Sequence, residues 1–168
     1  MDVTPATVRI EPATERDVPV ILRLIKGLAE YERLSDAVTA TEEGLRRSLF
    51  GPRPAADVVI AYVGEEPAGY ALFFHNFSTF LGQAGIYLED VFVVPEQRGL
   101  GVGRTLLAHV AAVAIERGCG RVEWSVLDWN ERAIGFYRCL GARPLDDWTM
   151  YRLTGDALSR LASVDSPS

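Results

Sequence analysis

Cysteine is scarce in this chain. The two present, Cys119 and Cys139, stand at no metal-ligand or redox-pair spacing; no disulfide framework is indicated, and both read as reduced thiols acting as small apolar residues. Lysine is scarcer still: Lys26 is the single one, and arginine fills the other basic positions, a usage bias to which no function attaches. No apolar run approaches the roughly 20 residues of a membrane span, and the opening MDVTPATVRIEP lacks the basic-then-apolar form of a leader. The protein is therefore expected to be cytoplasmic and off the membrane. Positive charge is in deficit too, with a net charge of −6, which argues against a nucleic-acid surface and favours cationic partners. The two histidines, His75 and His109, fall in a strand beside phenylalanines and on an apolar helix, where structural roles are expected. No residue set has metal-ligand spacing.

What is present fits one domain, 1–168, with a disordered tail over 163–168. ATVRIEP (6–12) reads as a strand, and Thr14 with Asp17 as a capping box before a helix whose Val18, Ile21, Leu22, Ile25, Leu28 and Ala29 recur at helical spacing to about Tyr31. A shorter helix follows Thr41, carrying Leu45 and Leu49. VVIAYV, AGYALFFHNF and AGIYLEDVFVV then form an antiparallel meander, the first two joined by GEEP. A helix over 104–117 ends at Gly118; RVEWSVLD reads as a strand; Asn130 opens a helix closed by Gly141; DDWTMYRL reads as a last strand. The order predicts an α+β class of mixed α/β layers, a mixed and mostly antiparallel sheet with helices on both faces.

One stretch asks for a ligand. In YLEDVFVVPEQRGLGVGRTLLAHV, Gly99, Gly101 and Gly103 sit between a strand and a helix, where each glycine costs about 1 kcal/mol relative to alanine. Without side chains, successive N–H groups can converge on an anion at the positive end of the helix, and Arg98 and Arg104 would add charge-assisted donors. The dinucleotide fingerprint fails because it needs glycine where Arg104 stands, and the P-loop lysine is missing. On the turn alone, a purely structural role that lets helix and strand pack closely stays open.

QRGLGVG resembles the R/Q-x-x-G-x-G/A signature of the GNAT superfamily of acyl-CoA N-acyltransferases. Together, ILRLIKGLAEYERLSD, YLEDVFVVPEQRGLGVG and VLDWNERAIGFYRCLGA resemble its diamine (spermidine/spermine) and thialysine acetyltransferase subfamily over most of residues 8–152. The resemblance implies a GNAT-like fold in which the fourth and fifth strands splay apart to hold acetyl-CoA, no metal, and a homodimer. It implies that Arg98, Gly99, Leu100, Gly101, Val102, Gly103 and Arg104 bind the coenzyme pyrophosphate. Val91, Phe92 and Val93 would hold the pantetheine arm through their backbone, and Asn130, Ala133 and Tyr137 would complete the coenzyme site.

Acyl transfer to an amine must deprotonate an ammonium and protonate a leaving thiolate. With an amine pKa of about 10, roughly one molecule in a thousand is free base at pH 7, so a general base is the natural remedy. Glu89 and Asp90 are the candidates, and strand alternation aims only one of them at a cleft unless a bulge intervenes. The resemblance favours Glu89 as base or substrate ligand, gives Tyr137 the proton for the thiolate, and places Tyr31, Glu32, Glu89 and Asp90 in the amine site. Trp124 and Trp129 read as packing. Where spermidine-type relatives carry an aspartate and a tryptophan, this chain reads FSTFLG with Ser78 and Phe80, closer to the thialysine type. The expected activity is acetyl transfer from acetyl-CoA to a small cationic amine; a protein or peptide acetyltransferase and a non-catalytic acyl-CoA sensor remain as alternatives.

Overall fold

The computed structural model describes residues 7–163. Alternating apolar residues give five strands, β1 (Val8–Pro12), β2 (Asp57–Val63), β3 (Glu66–Ser78), β4 (Gln83–Val93) and β5 (Val122–Trp124), in one sheet of that order. The first four pair antiparallel, and β5 runs parallel to β4. Gly64, at φ 62°, supplies the left-handed residue that the tight β2–β3 turn requires.

Helix α1 (Val18–Tyr31) starts where the sequence places it: the Asp17 carboxylate accepts from the Thr14 backbone N–H at 2.7 Å and from its hydroxyl at 2.9 Å. For α2 (Glu42–Phe50), the Thr41 hydroxyl accepts from the Gly44 N–H at 3.1 Å. Ile21 and Leu24 of α1 and Leu49 of α2 pack on Val58, Ile60, Tyr70 and Phe92 of the sheet. The intervening Val59, Ala61, Ala71 and Phe73 point the other way and are equally buried, as are Leu106 and Val110 of α3 (Val102–Glu116), which lies against β3 and β4. Each fully buried aliphatic side chain contributes about 1.5–3 kcal/mol, so burial on both faces fixes the layer order that the sequence predicts.

The chain divides into two units at Leu127 and Asp128. In the second, α4 (Glu131–Cys139) is capped by Asn130, whose Oδ1 accepts from the Ala133 N–H at 3.2 Å, and α5 (Gly155–Ala162) follows. Three expectations need correction. The strand expected over 121–128 spans only Val122–Trp124, because its pairing with β4 stops at Leu88. DDWTMYRL is no strand: within its own unit no second strand is described to pair with it, and Trp148, Met150 and Tyr151 are exposed. Helix α5 was not expected, and Ser163, placed in the tail by the sequence, closes it by donating its N–H to the Arg160 carbonyl at 3.2 Å. The rest of the expected tail lies outside the described residues. Among the described residues no helix is long and apolar enough to cross a membrane.

Candidate functional site

The glycines of the strand-to-helix turn have separate reasons. Gly99 and Gly101 adopt φ of 84° and 82°, and Gly101 is the N-cap of α3, a conformation open to glycine and costly for a side chain. Gly103 is already helical, and among the described residues a methyl group there would meet only Val93 Cγ2 at 3.6 Å, an ordinary contact. Neither backbone nor packing within the protein requires its missing side chain. The space it leaves lies over the first turn of α3, whose N–H groups lack helical partners. Arg104 is exposed in that turn.

Arg98 points elsewhere. Its Nε donates to the Val93 carbonyl at 3.0 Å, and its guanidinium lies 4.6 Å from the centre of the Tyr31 ring and 5.7 Å from that of Phe92. It therefore ties the end of β4 to the C-terminal end of α1, the segment that carries Tyr31 and Glu32.

Strand β4 is irregular where its two acids stand. Across the β3–β4 ladder Leu72 faces Asp90 and Phe73 faces Leu88, which leaves Glu89 as the extra residue of a bulge. Alternation is thereby reset. Leu88 is buried opposite Phe73, whereas Asp90, opposite Leu72, turns to the α1 face, where it meets Tyr70. Glu89 stays exposed. The parallel pairing of β4 with β5 also ends at Leu88 and Trp124, so Glu89 to Val93 run on with β3 on one side only.

On the α1 face the acids are electrostatically coupled. The Tyr70 hydroxyl donates to Asp90 Oδ2 at 2.8 Å, and Tyr70 is fully buried. Burial raises the Asp90 carboxyl above its ordinary range, and the Tyr70 hydrogen bond opposes that rise. Burial, then the charge of Asp90, raises Glu32. Burial, then Asp90, drives the Tyr70 phenol far above its usual value, with smaller contributions from Glu32 and Glu89. The arrangement gathers carboxylates on the α1 face beside the donating Tyr70 hydroxyl, a concentration of negative charge suited to a cation. Sequence reasoning missed Tyr70, since only the pairing register reveals that it reaches diagonally to Asp90.

In the second unit, Asn130 and Tyr137 lie two turns apart at opposite ends of α4, as their spacing predicts. Ala133 donates to the Asn130 side chain, and the half-buried Tyr137 ring lies 5.7 Å from that of Phe136. His75 is exposed on β3 and His109 half-buried on α3; neither lies in the acidic group.

Comparison with known proteins gives this geometry a context. The profile of the acetyltransferase (GNAT) family matches residues 25–142. The thialysine N-epsilon-acetyltransferase of Bos taurus is 42% identical, the match covering 94% of this chain and 98% of the relative. The L-ornithine N5-acetyltransferase NATA1 of Arabidopsis thaliana is 36% identical over 94% of this chain and 89% of the relative. Among solved structures, an integron cassette protein from the mobile metagenome of V. cholerae superposes with a TM-score of 0.77 at 26% identity, covering 93% of this chain and 98% of that one.

Proposed function

This chain belongs to the GNAT acetyltransferase family and is an N-acetyltransferase, and we propose that it moves an acetyl group from acetyl-CoA to the primary amine of a small cationic substrate of the thialysine, ornithine or short diamine class. The observation that carries the proposal is the β4 bulge, which sets an exposed carboxylate beside a half-buried one just past the end of the strand's pairing with β5. The curated relatives that act on thialysine and ornithine support the substrate class.

The residues present fit acetyl-CoA. A pyrophosphate would lie on the N–H groups of Gly101 to Arg104, in the space that Gly103 keeps clear, with the Arg104 side chain as a charge-assisted donor. Leu100 and Val102 would present their backbone in the same turn, Val91, Phe92 and Val93 would hold the pantetheine arm, and the family resemblance assigns Asn130 and Ala133 to the coenzyme as well. When bound, the coenzyme supplies the acetyl group as a thioester. The protein's part is to manage protons and charge. Tyr31, Glu32 and Asp90 hold the ammonium, and Glu89 takes one of its protons, directly or through a water, so that the nitrogen lone pair is free to attack the carbonyl. The new amide bond would form as the carbon–sulfur bond breaks, the Tyr137 hydroxyl would give its proton to the departing sulfur, and the second proton shed by the new amide nitrogen would restore it, directly or through water. The reading takes the whole chain as one catalytic domain, a cytoplasmic homodimer without a metal; a sedimentation mass of one protomer would remove the dimer from it.

The test mixes purified protein, acetyl-CoA and a panel of thialysine, lysine, ornithine, short diamines, spermidine, an aminoglycoside and a lysine peptide, and follows thiol release. Turnover is expected with thialysine, ornithine or the short diamines. Turnover with the peptide alone would make the protein a modifier of other proteins. Tight acetyl-CoA binding without turnover on any amine would make it a sensor.

A further inference from the structure

A fully buried tyrosine has no part in the mechanism above, yet it holds one of the acids that mechanism uses. We propose that Tyr70 is a positioning residue for acceptor binding: its hydroxyl fixes the Asp90 carboxylate in orientation and keeps it ionised to receive the cationic amine. The inference rests on the reading of Asp90 as an amine ligand and goes beyond it in naming what prepares that ligand.

The geometry is specific. Tyr70 stands opposite Phe92 on β3 and reaches two positions along β4 to donate to Asp90 Oδ2 at 2.8 Å. That diagonal reach follows from the regular pairing of Tyr70 with Phe92 and Leu72 with Asp90, which puts Asp90 on the α1 face with Phe92; the Glu89 bulge reverses the alternation only beyond it, so that Leu88 faces the other way. The ring is clamped by the core that includes Ile21, Leu24 and Phe92, so the hydroxyl has little freedom to turn away. The other charged groups of this face are Glu32 at the end of α1, which the charge of Asp90 raises, Glu89 on β4, which with Glu32 acts on Tyr70, and Arg98 on the rings of Tyr31 and Phe92. Burial pushes Asp90 toward its neutral form, which would no longer attract an ammonium. The Tyr70 phenol, which keeps its proton throughout the working pH range, counters burial because the hydrogen bond it donates is stronger to the ionised carboxylate.

Tyr70→Phe tests this while preserving the ring and its packing. Titration of the Asp90 side-chain carboxyl by carbon NMR, in the free protein, should move to higher pH by about one unit when the hydroxyl is removed. In turnover of the best amine, KM at pH 6.5–7 should rise about tenfold, kcat should change by less than about threefold, and the acetyl-CoA Kd should hold. The KM defect should shrink as pH rises and Asp90 ionises without help. An unchanged Asp90 titration, or an unchanged amine KM at neutral pH, overturns the proposal and makes Tyr70 a core residue. If the NMR shift is present while the wild type acetylates none of the amines, the substrate reading falls and the control of Asp90 by Tyr70 stands.

Discussion

The Arg98 guanidinium is shared between the Val93 carbonyl and the rings of Tyr31 and Phe92, although its place in the glycine motif makes a phosphate contact the sequence expectation. Geometry predicts a different phenotype from charge. Arg98→Met keeps the length of the side chain and removes a charge-assisted hydrogen bond and a cation–π contact, together about 2–4 kcal/mol of local tethering. The amine KM should rise several-fold as Tyr31 and Glu32 loosen, with the acetyl-CoA Kd changed less than about threefold. A tenfold loss of coenzyme affinity at constant amine KM would return Arg98 to the phosphate. For Glu89, the exposed residue of the bulge, base catalysis predicts a pH signature. Glu89→Gln should lower kcat/KM by about 10²-fold near pH 7 and progressively less toward pH 10, where the amine is already free. A loss equal at every pH would remove Glu89 from that role. Tyr137→Phe should cost about 10² in kcat with coenzyme binding retained, since only the acidic proton is gone; a variant with full kcat would leave Tyr137 as packing.

Among the elements, the strand-to-helix turn separates conformation from ligand space within five residues. Gly101 is held at positive φ and Gly103 is not, so substitution should act on them differently. Gly103→Ala should leave the melting temperature unchanged or slightly raised, because alanine favours a helix and meets only Val93 at 3.6 Å, yet it should weaken acetyl-CoA binding by intruding on the phosphate space. Gly101→Ala should lower stability by about 1 kcal/mol through backbone strain. Calorimetry and melting curves on both decide it: an alanine at 103 that leaves the Kd untouched would sink the ligand reason for that glycine. This turn was legible in the sequence because its signal is local, as were the caps at Thr14, Thr41 and Asn130. The bulge was not. Asp90 and Glu89 read alike in a β-branched run, and their division of labour depends on which residue of β3 each faces, a register that no short window contains. DDWTMYRL failed for the complementary reason: an apolar, β-prone stretch becomes a strand only when a neighbour supplies the ladder.

For the molecule as a whole, acids gathered on the α1 face carry a stability cost, and the direction of the carboxyl shifts says where that cost falls. Asp90 and Glu32 both have folded-state values raised by burial, with Asp90's charge adding to the rise at Glu32. An acid with a raised folded-state pKa holds its proton more tightly when folded than when unfolded. The folded chain then binds more protons than the unfolded one between the ordinary carboxylate range, near pH 4, and the raised values, so these two groups make stability fall as pH climbs through that window and leave it level above. Neutralising one of them should therefore stabilise the protein at neutral pH. Asn in place of Asp90 can still accept the Tyr70 hydrogen bond, so Asp90→Asn should raise the melting temperature at pH 7 by roughly 2–4 °C, with the difference closing below about pH 4, where the wild-type carboxyl is protonated in both states. The same variant should lose most of its affinity for the amine, and a saturating diamine should raise the wild-type melting temperature at pH 7 more than that of Asp90→Asn. Scanning calorimetry of the two proteins across pH 3.5–8, with and without the diamine, is the measurement. A variant less stable than wild type at pH 7, or one that a diamine stabilises as strongly as wild type, would show that Asp90 serves the fold rather than the acceptor.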